Sequence, residues 1–200
     1  MALTLITAPA TEPLSREEAK AHLRVSVTED DDLIDALIVA ARERAEQETR
    51  RALITQTWEA TGRYFPGVIR VPKPPLISVT YVKYFDTANV EQTLNATTFY
   101  KTAAPAGPDA GPGRISLRYG QVWPSVYAEE DVVTVRFVAG YGGAADVPQT
   151  IKQGMLLAIA NWYANRETVV VGTIVADLPM GAKALWAAFD ARTFGGTFGA

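Results

Sequence analysis

Along the first fifty residues the apolar positions recur at every third or fourth residue, the spacing of a helix with one buried face. Ser15 followed by Glu18 has the form of a capping box, in which each residue satisfies the other's free backbone amide, so a short helix is predicted from there to about residue 24. A second start follows at Thr28. Glu29, Asp30, Asp31 and Asp32 crowd its first turn and complement the positive end of the helix dipole. From 32 to about 53 the pattern predicts one long helix with Leu33, Ile34, Leu37, Ile38 and Ala41 as its apolar stripe. In the second half of that helix Arg42, Glu43, Arg44, Glu46, Glu48, Arg50 and Arg51 leave only Ala45 and Ala52 as narrow contacts, with Glu46 and Arg50 spaced as an i,i+4 pair. Two readings fit these charges: a solvated face, or a contact between neighbouring subunits in which the interleaved signs pair.

Beyond residue 54 the period drops to two and β-branched residues dominate, predicting strands over 55–64, 68–71, 77–85, 98–101, 114–119 and 132–139. In the third of these both alternating sets are bulky, which suggests a strand covered on two sides. Pro72, Pro74 and Pro75 interrupt the ladder, and the proline- and glycine-rich stretch 103–113 reads as an exposed loop. Short strands separated by turns predict a small sandwich or barrel.

Helical spacing then returns. Pro148 suits a first helical position with Asp146 nearby as a cap, and Ile151, Met155, Ala158, Ile159 and Trp162 form a stripe that Leu156, Leu157, Ala160 and Tyr163 widen. A helix apolar around most of its girth is expected to be buried on more than one side. Residues 168–178 read as extended, and 182–191 as a last short helix. The fold class is therefore α+β: a bundle of about four helices with an antiparallel β-sandwich or barrel inserted between the second and third. The corresponding division is 1–54 for the opening helices, 55–145 for the β insertion, 146–192 for the closing helices and 193–200 for a tail.

Composition narrows the chemistry. The chain has 200 residues, 48% of them hydrophobic, enough to bury a core without covalent staples. It contains no cysteine and one histidine, which removes disulfides, thiolate nucleophiles and multi-histidine metal sites. A net charge of −3 argues against a generic grip on nucleic acid through its phosphates. The start lacks the basic region and apolar run of a signal peptide, and no apolar stretch is long enough to span a bilayer. His22, four residues after Glu18, reads as solvated. Gly140-Tyr141-Gly142-Gly143 lacks the lysine and spacing of a phosphate loop and reads as a flexible connection. Glu129, Glu130 and Asp131 read as a solvated acidic turn. No enzyme activity, metal or cofactor is expected.

The end of the chain asks for a partner. Leu185 and Trp186 suit a home core, but Phe189, Phe194 and Phe198 stand in or beside a glycine-rich tail that cannot bury them alone.

The same residues carry a resemblance. Ala19-Lys20-Ala21-His22-Leu23-Arg24-Val25, Asp31-Asp32-Leu33-Ile34, Ala40-Ala41-Arg42-Glu43 and Glu48-Thr49 are similar to the opening helices of the head–tail connector (adaptor) proteins of long-tailed phages and gene transfer agents, in the subgroup with a β insertion. Val71-Pro72-Lys73-Pro74-Pro75-Leu76 resembles their strand-leading proline segment. Gly140-Tyr141-Gly142, Val147-Pro148 and Trp162-Tyr163-Ala164-Asn165-Arg166-Glu167 resemble their return helix, and Leu178-Pro179-Met180-Gly181-Ala182 with Leu185 their closing helix. The chain departs from that pattern at Gly154, where alanine is usual, at Trp186, where an aliphatic residue is usual, and at Asp86-Thr87-Ala88-Asn89, where the turn commonly ends in glycine.

The resemblance implies a structural particle protein assembled in the host cytoplasm: a ring, commonly dodecameric, between the portal of a DNA-filled head and the tail-side stopper. DNA would pass through it without sequence-specific binding, and no membrane is involved. It implies portal contacts by Phe189, Arg192, Phe194 and Phe198, and gives Arg42, Arg44, Glu46, Glu48, Arg50 and Arg51 to the contact between subunits. The alternative is a carbohydrate-binding or surface-decoration module that stacks sugars on Tyr64, Tyr100, Tyr119 or Trp123.

Overall fold

A capping box opens the first helix. In the computed structural model, which describes residues 2–165 and 179–191, Ser15 Oγ accepts from Glu18 N and Glu18 Oε2 from Ser15 N, and α1 (Arg16–Leu23) follows. α2 (Asp31–Thr49) starts on its carboxylates. Asp31 draws in Lys20 at 2.6 Å and Arg16 at 3.3 Å, and Arg16 also clasps Asp35, so the acidic turn locks α1 onto α2. The helix stops at Thr49, four residues earlier than its pattern predicts, because Arg50 turns into the left-handed region at φ 58°.

The strands are β1 (Ala2–Thr7), β2 (Gln56–Gly62), β3 (Val68–Val71), β4 (Leu76–Phe85), β5 (Glu91–Thr93), β6 (Tyr100–Ala103), β7 (Gly113–Leu117) and β8 (Val133–Ala139). They form two antiparallel sheets, ordered β1-β2-β8-β4-β5 and β3-β7-β6. Ala60, Ile69, Val71, Val82, Ile115, Val135 and Phe137 from both sheets share one core. Neither sheet closes, so the expected sandwich or barrel is in fact two open sheets over a common core. β1 and β5, to which the pattern assigned no element, are the edges of the larger sheet. β1 comes from ahead of α1 yet pairs with β2 from Ala2↔Thr61 to Thr7↔Thr57. β4 is less covered than expected, with only Leu76 and Val82 buried and Ile77 exposed, because no layer lies over its second face.

α3 (Gln149–Ala164) and α4 (Met180–Ala187) complete a second core with α1 and α2. Ile34, Ile38, Ala41 and Ala45 meet Ile151, Met155, Ala158 and Ile159 there, so α3 is buried on more than one side as its girth predicts. Asp146 does not cap α3; it ends a 3₁₀ turn, Ala144–Asp146, and accepts from Gly143 N. Residues 168–178 and 192–200 lie outside the described residues.

The departures from the family pattern have physical causes. Trp186 is 1% exposed and donates its indole N–H to Ile151 O at 3.1 Å. A Cβ at residue 154 would stand 2.8 Å from Trp186 Cε2, so the glycine makes the notch that the larger ring fills. In the 86–89 turn Asn89 takes the left-handed position at φ 61° that glycine usually holds, and Asp86 Oδ1 accepts from both Ala88 N and Val90 N. Gly154→Ala is expected to cost about 1–3 kcal/mol by overpacking. In Trp186→Leu the same change is expected to cost much less, a coupling that urea unfolding of the four proteins measures.

Candidate assembly interface

Helical and β units meet where α2 gives way to β2. Ala52 enters the β core while Leu53 and Ile54 enter the helical core. The backbone is sewn to its neighbours here: Ala52 N donates to Pro74 O (3.2 Å), Tyr141 N to Leu53 O (3.1 Å), Thr55 N to Gly142 O (3.0 Å) and Gly140 N to Pro75 O (2.9 Å). Gly140, at φ 131°, lies so close to this crossing that a Cβ would stand 2.8 Å from Thr55 N. The 140–143 stretch is thus a fixed crossing of two backbones, not the flexible connection its glycines suggest.

The charges of α2 divide around that crossing. Arg42, Glu46 and Arg51 are 8%, 6% and 1% exposed, so the solvated-face reading is corrected for these three. Arg42 Nε donates to Glu12 (2.8 Å) and its Nη1 to Glu46 (3.2 Å). Glu46 Oε1 also accepts from Leu53 N (2.8 Å) and from the Gln56 amide. Burial raises the carboxyl pKa of both Glu46 and Glu12, opposed by Arg42, and lowers that of Lys73, whose ammonium lies over the Trp58 ring. Such a cluster is tolerated only because each charge finds a counter-charge or a backbone partner. Glu46 pairs with Arg42 and not with Arg50, since Arg50 has already left the helix. Arg44 pairs with Glu48 at 2.7 Å, and these two with exposed Arg50 stay on the surface.

Arg51 reaches furthest. Its Nε donates to Phe189 O (2.6 Å) and its Nη1 to Ala110 O (2.7 Å), tying the end of the last helix and the proline-rich loop to the crossing. The Tyr141 hydroxyl donates to Pro108 O of the same loop and Ala110 is buried, so this loop, exposed over most of its length as its prolines and glycines suggest, is pinned at one end. Burial depresses the Arg51 pKa, and burial likewise raises that of Tyr141. The role of Arg51 escaped the sequence reading; the one local signal was a charge heading the apolar trio Ala52-Leu53-Ile54.

The remaining candidates separate. Phe189 packs half-buried against the helical core, while Arg192, Phe194 and Phe198 fall outside the described residues. Of the four sugar-stacking candidates, Tyr100 is buried and Trp123 is stacked on Phe65 with ring centroids 4.7 Å apart, which leaves Tyr64 and Tyr119 exposed. Glu130 pairs with Arg63 at 3.3 Å, Asp131 accepts from Thr61, and His22 is exposed on α1. Among the described residues no cluster of acids and histidine could hold a metal, and no helix is long and apolar enough to cross a membrane.

Comparison with known proteins adds four likenesses. The family described as phage gp6-like head-tail connector proteins matches residues 16–103, from the first residue of α1 to the last of β6. Chains in structures titled "Virion of native gene transfer agent (GTA) particle" and "Neck of empty GTA particle computed with C6 symmetry" are each 25% identical to this one. Both cover 94% of this chain and 95% of their own, with TM-scores of 0.73 and 0.74. A chain of "Neck of native GTA particle computed with C12 symmetry", 24% identical over 94% of each, has the same fold at a TM-score of 0.71. No curated protein sequence matches the chain.

Arg51→Lys keeps the charge but loses the planar fork that serves two carbonyls. It is expected to cost about 1–3 kcal/mol and to speed hydrogen exchange of the 182–190 amides ahead of the β core. Glu46 supplies a pH test. An acid whose folded-state pKa lies above its unfolded value favours folding as the pH falls through the raised value, and that contribution is lost as the pH rises beyond it. The wild-type-minus-Glu46→Gln difference in unfolding free energy is therefore expected to grow as the pH falls through the raised value towards the ordinary glutamate range. A difference that stays constant would show that Glu46 titrates normally.

Proposed function

We propose that this chain, which matches the head–tail connector family over residues 16–103 and the fold of chains from gene transfer agent particles, forms the adaptor ring of a phage-like particle, seated on the portal of a DNA-filled head and receiving the tail-side stopper. The observation that carries this reading is the match in fold across nearly the full length of chains from gene transfer agent particles. Necks resolved with six-fold and twelve-fold symmetry support a cyclic arrangement of copies. The net charge of −3 suits a passage that DNA crosses without being held.

Arg44, Glu48 and Arg50 are the α2 charges left to meet a neighbouring copy. The chain beyond residue 191 contacts the portal through Arg192, Phe194 and Phe198. Phe189 stands at the root of that segment, where Trp186 in its notch and the Arg51 clamp on the Phe189 carbonyl give it a fixed point of departure. Removing residues 193–200 is expected to leave the melting temperature of the purified protein unchanged and to strip it from portal-bearing particles. Particles that keep the shortened chain in full amount would rule out the tail as the portal contact.

A further inference from the structure

The chain's charges are unevenly distributed. Residues 1–50 hold eleven acids against six bases, a net of −5, whereas residues 60–127 hold seven bases against three acids, a net of +4. The basic excess has a structural focus in the small sheet. β3, β6 and β7 contain no carboxylate, and Arg70 and Arg114 sit directly opposite each other across the β3–β7 ladder. With Pro105, Gly111 and Pro112 the two arginines line a cavity of about 190 Å³. Lys101, whose register partner on β7 is Ser116, is exposed beside it, and Arg118 follows β7. Lys101, Arg114 and Arg118 have no ion pair among the described residues.

The matching charge lies at the far end of the molecule. Arg51 ties Ala110, in the loop that forms one wall of this cavity, to the C-terminal end of α2. The acidic turn is at the other end of that helix, about 28 Å away for 19 residues. There Asp31 and Asp35 are occupied by Arg16 and Lys20, whereas Glu29 and Asp32 are exposed and take no part in an ion pair within the chain. Opposite charges at opposite ends of a rigid element favour head-to-tail association, the kind that closes into rings. DNA fits the cavity less well, since a strand would meet an acidic pole on every copy.

We propose that the Arg70–Arg114 cavity and the basic outer face of the small sheet are the socket for the Glu29–Asp32 corner of a second copy of this chain. This rests on the ring reading and gives it a second contact besides that of α2. The test compares wild type, Arg114→Glu, Asp32→Lys and the double variant by their amount in purified particles relative to the portal. Both changed positions, Arg114 and Asp32, are on the surface, and thermal melts check that each variant folds. Each single reversal sets like charges against each other and is expected to lower incorporation about tenfold or more. The double variant restores opposite signs and is expected to return to within about twofold of wild type. Singles that incorporate normally, or a double no better than the singles, would overturn the pairing. So would wild-type retention of duplex DNA that Arg114→Glu abolishes while its incorporation stays intact, which would give the cavity to phosphate. Absence of the wild-type chain from particles is a different failure: it would sink the ring reading on which the pairing rests.

Discussion

A guanidinium withdrawn from water is the constraint around which this fold is arranged. Arg51 cannot lose its proton and, once buried, must find oxygen acceptors; it finds them on Phe189, 138 residues later, and on Ala110, 59 residues later. Both acceptors belong to segments without strong structure of their own, the frayed end of a short helix and a loop of prolines and glycines. The cost of dehydrating the charge is offset only if both segments come to it. The cluster of Glu12, Arg42, Glu46 and Gln56 works the same way one helical turn earlier, fixing the N-terminal segment and the start of β2 against α2. Two units with separate cores are thus joined by polar groups that have no alternative partners.

Where a signal is local the sequence discloses it. The capping box of α1 spans four residues, β3 begins and ends where alternation says it should, and the girth of α3 announces a helix buried on several sides. The charges of α2 mislead because burial is a property of what lies opposite, and Glu12, Gln56, Ala110 and Phe189 cannot be placed opposite by reading along the chain. β1 escapes notice because its apolar residues Leu3, Leu5 and Ile6 do not hold a period of two over six positions, and most of its side chains stay exposed at the sheet edge. β5, three residues long, is held by its neighbour and not by its own composition.

Gly154 and Trp186 are separate oddities in the linear sequence and a single event in space. A notch in α3 and an oversized ring on α4 lock the last helix in place. The Asp86–Asn89 turn is a second such exchange, where an amide side chain that tolerates the left-handed region stands in for glycine and a carboxylate supplies the hydrogen bonds. In both places one unusual residue is matched by another that accommodates it, so each departure is absorbed locally.

The order of the elements has a consequence for synthesis. A ribosome that has just released residue 145 has supplied every strand of both sheets among the described residues, but α1 and α2 still display Ile34, Ile38 and Ala41 to solvent. The layer that covers these side chains, α3 and α4, is translated last, and the clasp that Arg51 closes is completed only by Phe189. The helical half must therefore remain unfinished through most of translation and condense in one late step, leaving a nascent chain whose greasy flank needs shelter, from a chaperone or from speed, until the final residues emerge.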